Sequence, residues 1–203
     1  MKFAIGALLL LCSPVAAAAS NQVSAAREQE ADGSHTLVHE VVVDAPADQV
    51  WTAVSTPQGW TTWAVPAAWH PPGQADVLES SYTPTARPGD ATTIRQQFIA
   101  RIPGRLLVYR TIKAPAGFPD FPTFAKVISI LELEPLGPAS TKVRLTGTGY
   151  PDTPSGRQLL GFFDNGNRIT LEALRTRFRD GPIDWPAKLA TMSKGPAPQA
   201  KEE

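Results

Sequence analysis

The sequence contains a single cysteine, Cys12, among 203 residues. Because this cysteine lies in an N-terminal segment that we expect to be removed, the mature chain would contain no thiol, disulfide or cysteine metal ligand. Thiol catalysis, cysteine-based zinc sites and thiol–disulfide redox chemistry are therefore excluded. The three histidines, His35, His39 and His70, do not form a ligand pair on a predicted helix, so we expect no metal.

The sequence also lacks an excess of charge of either sign. It has 19 basic and 19 acidic residues, and removal of Lys2 with the N-terminal segment leaves 18 against 19, a net charge of −1. A nucleic acid or an anionic membrane is therefore not an expected partner. Turn-forming residues are abundant instead, since 20 prolines and 15 glycines indicate many turns and loops.

Residues 1–19 are interpreted as a secretory signal peptide, because Lys2 is followed by an apolar run over residues 3–11 and then by alanines. The run is far shorter than the roughly 18 residues of a membrane-spanning helix, which disfavours a retained anchor. Cys12 could instead carry a lipid, but the Leu11 before it is a poor match to lipoprotein sites. We therefore expect a periplasmic or secreted protein with no integral membrane segment after cleavage.

Two segments without hydrophobic periodicity flank the region from which the fold is predicted. Residues 20–35 are predicted to be a flexible leader, and residues 186–203 a disordered tail. The intervening residues 36–185 are long enough for one domain with a substantial core.

The longest predicted helix runs from Thr153 to Arg179. Thr153 before Pro154 is a start signal, and residues 180–182 (Asp-Gly-Pro) are a stop signal. A helix of this length extends about 39 Å and needs a large surface to cover its apolar face. The residues that recur on that face at steps of three and four are Leu160, Phe163, Asn167, Leu171, Leu174 and Phe178.

The segment before this helix predicts about six antiparallel strands. The first, Thr36–Val43, precedes two short helices, one over residues 47–54 and one after Thr56. Residues 64–73, with three prolines, are predicted to be a loop. The other predicted strands are Ala75–Tyr82, Thr92–Ile102, Arg105–Lys113, Ala125–Glu134 and Thr141–Tyr150. Grouped strands with segregated helices indicate an α+β fold.

Three stretches together resemble the START-like, or SRPBCC, superfamily. They are DAPADQVWTAVSTPQGWTTW (44–63), TKVRLTGTGY (141–150) and GNRITLEALRTRF (166–178), and they are most similar to the branch named for the activator of the heat-shock chaperone ATPase. The resemblance covers residues 36–185. It implies a helix-grip fold, in which a curved antiparallel sheet surrounds the long C-terminal helix and an apolar cavity lies between them.

Two features depart from the pattern of that branch. Relatives often have tryptophan after the glycine in the long helix, where this chain has Asn167. The export signal is the second departure, because an ATP-driven cytosolic chaperone is absent from the periplasm. The activity in the name of the branch is therefore not carried over.

The expected cavity would be bounded by mostly aromatic side chains. The candidate ligand-binding residues are Trp60, Trp63, Phe98, Tyr109, Phe118, Phe121, Phe163, Asn167, Leu171 and Leu174. The loop Ala114–Phe124 is rich in phenylalanine and proline. It either forms an apolar lip at the cavity mouth, through Phe118, Phe121 and Phe124, or plugs into the core.

Polar residues on apolar faces require partners. Asn167 is expected either to meet a strand carbonyl or to face a cavity that holds water or ligand. His39 is interpreted as a satisfied core or edge residue, and Glu79 and Arg95 as a pair on a solvated sheet face. No nucleophile, general base and orienting acid can be combined from the spacing, so no catalytic residue is predicted.

These observations predict an exported protein that binds a small apolar or amphipathic molecule without a cofactor. An aromatase- or cyclase-like or hydrolase-like enzyme using the same cavity is an alternative, which a paired acid and base inside the cavity would favour. A second alternative is an envelope protein-interaction module, which predicts a filled core and an exposed apolar patch. The sequence does not determine the ligand or the oligomeric state.

Overall fold

The antiparallel sheet expected from the sequence is present, but it has eight strands rather than about six. In the computed structural model, which describes residues 22–193, these strands are β1 (Ser24–Gln29), β2 (His35–Val43), β3 (Ala67–Trp69), β4 (Val77–Ser81), β5 (Ile94–Ile102), β6 (Leu106–Lys113), β7 (Ile128–Gly137) and β8 (Ser140–Tyr150). Their order is β1-β2-β8-β7-β6-β5-β4-β3, with every neighbouring pair antiparallel. Register shifts in the β2–β8, β5–β6 and β7–β8 pairs bend the sheet into a concave surface.

Five helices accompany this sheet in the described residues. They are α1 (Ala47–Ser55), α2 (Pro57–Trp60), α3 (Phe121–Phe124), α4 (Pro154–Asp180) and α5 (Trp185–Ser193). The predicted start of the long helix is confirmed, because the Thr153 hydroxyl accepts a hydrogen bond from the Gly156 amide at 3.1 Å and Pro154 occupies the first turn. The α+β class and the helix-grip arrangement are therefore confirmed. None of the helices described here has the length and hydropathy of a membrane span.

Both additional strands lie where the sequence predicts no regular structure. Strand β1 falls within the predicted leader, residues 20–35, and is largely exposed, so it has no hydrophobic periodicity to detect. Backbone pairing with β2 and the ion pair from Arg27 to Asp164, at 2.8 Å, hold it in place. Strand β3 falls within the predicted loop, residues 64–73, and is only three residues long. It pairs with β4 at the opposite edge of the sheet.

The prediction of a disordered tail over residues 186–203 is wrong for its first part. Helix α5 extends to Ser193. Two hydrogen bonds near its N-terminus attach it to the rest of the protein. The Ile183 amide donates to the Thr62 carbonyl at 2.9 Å, and the Trp185 indole donates to the Thr61 carbonyl at 2.6 Å. Long-range contacts of this kind are not visible as local periodicity. The predicted signal peptide and residues 194–203 lie outside the described residues.

Helix α4 is buried at two separate places along its length. Leu159 and Leu160 near its start pack in a cluster with Leu37, Phe124, Val127 and Tyr150. Leu171 and Leu174 pack in the main core, which also contains side chains from α1, from Trp63 and from the central strands. Leu160 and Leu171 are eleven residues apart, or about 16 Å along the helix axis. The turns between them face a cavity instead of the core.

The buried pair of Glu79 and Arg95 corrects the expectation of a solvated sheet face. The Glu79 side chain is fully buried, because β3 covers it on one side and the loop before β5 covers it on the other. Its carboxylate accepts hydrogen bonds from the Gly89 amide at 2.7 Å and the Trp69 indole at 3.2 Å, and it pairs with Arg95 at 3.1 Å. Burial raises the pKa of Glu79, but hydrogen bonds from Thr93, Gly89 and Arg95 outweigh it and leave the pKa below its ordinary value of 4.5.

Three glycines inside α4 provide a matched test of helix packing. A Cβ on Gly156 would lie 1.9 Å from the Pro151 carbonyl oxygen, whereas Gly161 and Gly166 have nothing within 4 Å. Gly161→Ala and Gly166→Ala should each raise the free energy of unfolding by about 0.5–1 kcal/mol, because alanine loses less backbone entropy. Gly156→Ala should lower it by about 1–3 kcal/mol through overpacking. Urea denaturation measures all three, and equal effects at the three sites would contradict the packing described here.

Glu79→Gln should lower the free energy of unfolding at neutral pH by about 2–3 kcal/mol, because it leaves Arg95 without its buried anionic partner. A folded-state pKa below the unfolded value stabilises the fold above the unfolded pKa, and this contribution is lost as pH falls through the folded pKa. The difference between wild type and Glu79→Gln should therefore shrink as pH is lowered from about 7 to about 3.

The matched control is Glu40→Gln, which removes the more exposed pair with Arg144 and should cost about 0–1 kcal/mol. Chemical denaturation across this pH range gives both differences. A pH-independent effect of Glu79→Gln would show that the carboxylate charge does not contribute.

Candidate functional site

A cavity of about 490 Å³ lies between the concave face of the sheet and the middle turns of α4. This volume falls in the range of sites for small organic ligands. The helix contributes Phe163, Asn167, Thr170 and Ala173 to the wall. The sheet contributes residues from five strands, namely Ser80, Ile94, Gln96, Tyr109, Thr111, Ser129, Leu145, Gly147 and Tyr150.

Six of the ten predicted ligand-binding residues line this cavity. They are Trp60, Trp63, Tyr109, Phe118, Phe163 and Asn167. The two tryptophans extend from the corner formed by α1 and α2, where the Trp60 indole donates to the Val54 carbonyl at 2.7 Å and the Trp63 indole donates to the Ala53 carbonyl at 2.9 Å. Their polar atoms are thus satisfied within the protein, and the rings supply apolar wall.

The other four predicted residues do not line the cavity. Phe98, Leu171 and Leu174 are buried in the main core, and Phe121 packs beside the second cluster. The two leucines share the face of α4 that Asn167 occupies, but the helix is in direct contact with the core at their level. Phe98 shares the face of β5 that carries Ile94 and Gln96, but at its level this face packs in the main core.

The phenylalanine-rich loop combines both of the alternatives considered for it. Phe124 is only 7% exposed and stacks on Phe163 with ring centroids 4.3 Å apart, so it acts as a plug. Phe118 contacts Phe124 at 5.2 Å and Phe162 at 5.9 Å between ring centroids, and it also forms part of the cavity wall. Phe124 also borders the cavity, but it is the more deeply buried of the two rings, so Phe118 is the one in position to form a lip.

Apolar side chains are exposed where the cavity opens to solvent. Tyr82, Phe162 and Ile169 are 66%, 51% and 62% exposed, and all three belong to the cavity wall. Two of them come from α4 and one from the end of β4. Exposed apolar groups around an opening are typical of ligand-binding grooves and of interaction sites.

Asn167 connects the cavity to a chain of polar contacts. Its amide nitrogen lies 3.5 Å from Nδ1 of His39 on β2, and Nε2 of His39 lies 3.0 Å from the Asp164 carboxylate. Asp164 in turn pairs with Arg27 at 2.8 Å and Arg168 at 3.3 Å. Asn167 therefore has a strand side chain as partner, rather than a strand carbonyl, and it also faces the cavity.

The protonation states along this chain follow from its geometry. Burial lowers the pKa of His39, although the Asp164 carboxylate acts in the opposite direction. For Asp164, burial raises the pKa, but hydrogen bonds from Arg27 and His39 outweigh it and leave the pKa below its ordinary value of 3.8. A neutral His39 with its proton on Nε2 donates to Asp164 and accepts from the Asn167 amide. This arrangement turns the Asn167 carbonyl away from His39.

The titratable side chains on the cavity wall are Tyr82, Tyr109, Tyr150 and Lys188. Burial raises the pKa of Tyr109 and Tyr150, and for Tyr109 a hydrogen bond with Ser129 acts in the opposite direction. These two phenols are therefore neutral near pH 7, and the wall residue with a formal charge is Lys188 on the exposed helix α5. Among the described residues, no group of three histidine, cysteine, aspartate or glutamate side chains could hold a metal ion.

Sequence reasoning missed two parts of the wall. Gln96 shares the parity of Ile94 and Phe98 along β5, so strand alternation alone could have assigned it to the inner face. Trp185, Lys188 and Leu189 line the cavity from α5, and their spacing of three and four residues is helical. That signal was too short to separate a helix from a disordered tail.

Comparison with known proteins supports the arrangement of sheet, helix and cavity. The family described as "Polyketide cyclase / dehydrase and lipid transport" matches residues 34–179. No curated protein matches the sequence significantly.

Solved structures share the fold at low sequence identity. CalU16 from Micromonospora echinospora is 18% identical with a TM-score of 0.54, and the match covers 85% of this chain and 92% of CalU16. The Aha1 dimer from Colwellia psychrerythraea is 14% identical with a TM-score of 0.53, and the match covers 72% of this chain and 97% of that one. The di-domain ARO/CYC BexL from the BE-7585A biosynthetic pathway is 20% identical with a TM-score of 0.55, and the match covers 69% of this chain and 45% of BexL.

These identities establish a shared fold and no shared activity. The family match carries more weight, because it spans nearly all of the sheet and all of α4 except its last residue, Asp180. The chain therefore belongs to the polyketide cyclase / dehydrase and lipid transport family, within the SRPBCC superfamily of helix-grip proteins.

Proposed function

We propose that this chain is an exported binding protein that holds a small hydrophobic or amphipathic molecule between the sheet and α4. The observation that carries the proposal is the cavity of about 490 Å³, with its aromatic walls and exposed apolar rim. Burial of about 300 Å² of apolar ligand surface would contribute about 7 kcal/mol before the entropic cost of binding. The lipid-transport part of the family description supports the same function.

Asn167 is the group best placed to bind a polar part of such a ligand. It lies on the cavity wall midway between the two buried parts of α4, and His39 holds its amide nitrogen. Its carbonyl is thereby available to accept a hydrogen bond from a ligand. A polar group at this position would fix the orientation of a molecule that is otherwise held by apolar contact.

A cyclase-like enzyme is the alternative, and the family description and the BexL likeness support it. General acid–base catalysis near neutral pH requires a group whose pKa lies close to the working pH. Burial moves the pKa of Tyr109 and Tyr150 further from that range, which favours binding over catalysis. If a bound ligand is recovered chemically unchanged after prolonged incubation, the binding function is supported. If a cyclised product is recovered, the enzyme is supported.

A protein-interaction module is the other alternative, and it would use the exposed rim of Tyr82, Phe162 and Ile169. That function does not require an internal cavity. The aromatic wall behind the rim therefore favours a small molecule as the partner.

Export is proposed from residues 1–19 and from the position of the single cysteine within them. Intact-mass measurement of the protein from a periplasmic extract should give a chain that begins near residue 20. A full-length chain retained in the cytoplasm would contradict export without affecting the binding proposal.

Phe118→Ser should weaken binding of a fluorescent fatty acid about tenfold, mainly through faster release. The reason is the loss of roughly 50 Å² of apolar contact, or about 1.3 kcal/mol, at the cavity mouth. Stopped-flow fluorescence with the full chain gives the association and dissociation rates. Phe121→Ser is the matched control, because Phe121 belongs to the same loop but does not line the cavity. Equal effects of the two substitutions would exclude a lip at Phe118, and no uptake by the wild type would contradict the binding function itself.

A further inference from the structure

Two polar atoms beside the cavity have no partner within the protein. They are Oγ of Ser80 on β4 and Oε1 of Gln96 on β5, and both atoms are buried without a hydrogen bond. Ser80 is only 1% exposed. Both residues contribute to the cavity wall.

The sheet register places these two residues on one face. Ser80 lies opposite Ile94, and Gln96 follows two residues later on β5. Gln96 in turn lies opposite Thr111 on β6, which also lines the cavity. The polar groups therefore form one patch across three adjacent strands.

Side chains next to Ser80 and Gln96 on the opposite face are held by protein partners. The Ser81 hydroxyl donates to the Thr92 carbonyl at 3.2 Å, and the Gln97 side-chain oxygen accepts from Arg110 at 3.0 Å. Nε of Arg95 on that face also lacks a hydrogen bond, but the Arg95 guanidinium pairs with Glu79 at 3.1 Å. On the cavity side, neither unpartnered atom has such a compensating contact. A buried polar atom without a partner destabilises the folded protein, and beside a cavity such an atom is in position to hydrogen-bond with whatever molecule occupies the cavity.

This patch is separate from Asn167. Asn167 contacts His39 on β2, and the sheet order places four strand intervals between β2 and β5. Asn167 itself lies on α4, so the two polar positions belong to different elements of the cavity wall.

The chemistry of the patch selects the group that it can bind. An amide oxygen accepts hydrogen bonds only, whereas a serine hydroxyl both donates and accepts. The charged wall residue is Lys188, on α5, and no charged residue belongs to the patch. A carboxylate placed there would lose its hydration and meet the acceptor oxygen of Gln96. A neutral hydroxyl can donate to Gln96 while it accepts from Ser80.

We infer that Ser80 and Gln96 form a second polar subsite, which binds an uncharged hydroxyl group of the ligand. This inference rests on the proposed binding function and narrows its ligand class to apolar molecules that carry an alcohol or a phenol. Molecules whose only polar group is a carboxylate are disfavoured in this part of the cavity.

The test compares naphthalene, 2-naphthol and naphthalene-2-carboxylate as probes of the full chain, with dissociation constants from fluorescence titration at neutral pH. The wild type should bind 2-naphthol about 3- to 10-fold more tightly than naphthalene, as expected for a newly satisfied buried hydrogen bond. It should bind the carboxylate more weakly than 2-naphthol. Gln96→Leu and Ser80→Ala should each reduce the preference for 2-naphthol over naphthalene towards one.

The matched control is Gln97→Leu, which makes the same change on the opposite face of the same strand and should keep the preference. Because the patch is tested with two independent variants, a folding defect in one of them does not decide the result. Thermal unfolding shows whether each variant is folded. An unchanged preference in Gln96→Leu and Ser80→Ala, or equal binding of naphthalene and 2-naphthol by the wild type, would overturn the subsite.

The same titrations distinguish the subsite from the function on which it rests. If naphthalene binds but the hydroxyl confers no advantage, the binding function stands and the subsite is wrong. If none of the three probes binds, both are wrong. Asn167→Leu, tested with the same probes, should leave the effect of Gln96→Leu intact, because Asn167 contacts His39 and not Gln96.

Discussion

The architecture depends on how α4 is supported against the sheet. Leu159 and Leu160 anchor its first turns in one apolar cluster, and Leu171 and Leu174 anchor its later turns in another. Between these anchors, the middle turns of the helix contact the sheet at β2, where Asp164 and Asn167 meet His39. The cavity lies between the same turns and strands β4 to β8, and the curvature of the sheet determines its depth.

Polar groups in the interior have different surroundings in the packed core and beside the cavity. In the packed part of the chain, the buried charge of Glu79 is compensated by Arg95 and two N–H donors. Beside the cavity, Ser80 and Gln96 keep polar atoms without a partner. Asn167 lies between these two cases, since His39 holds one end of its amide and the other end faces the cavity. The proposed site for a mostly apolar, uncharged molecule rests on these three residues beside the cavity.

Much of the fold could be predicted because long, strongly periodic segments constrain it locally. The cap at Thr153, the apolar face of α4 and the alternation of β5 and β8 each depend on neighbours within a few residues. The missed elements depend on distant partners. Strand β1 has almost no buried side chain and exists through pairing with β2, and α5 is attached through Trp185 to a carbonyl of the α2 corner. Neither interaction leaves a periodic pattern in its own segment.

The candidate site shows the same limit at the level of single residues. The sequence by itself determined the α+β class, the family resemblance, the apolar face of α4 and the presence of Asn167 on that face. Only the tertiary structure decided that Phe163 and Asn167 line a cavity whereas Leu171 and Leu174, on the same face, fill the core. It also decided that Glu79 is buried and that Gln96 belongs to the wall. The physical reason is that periodicity specifies which direction a side chain points, whereas the curvature of the sheet and the support of the helix determine what it meets there.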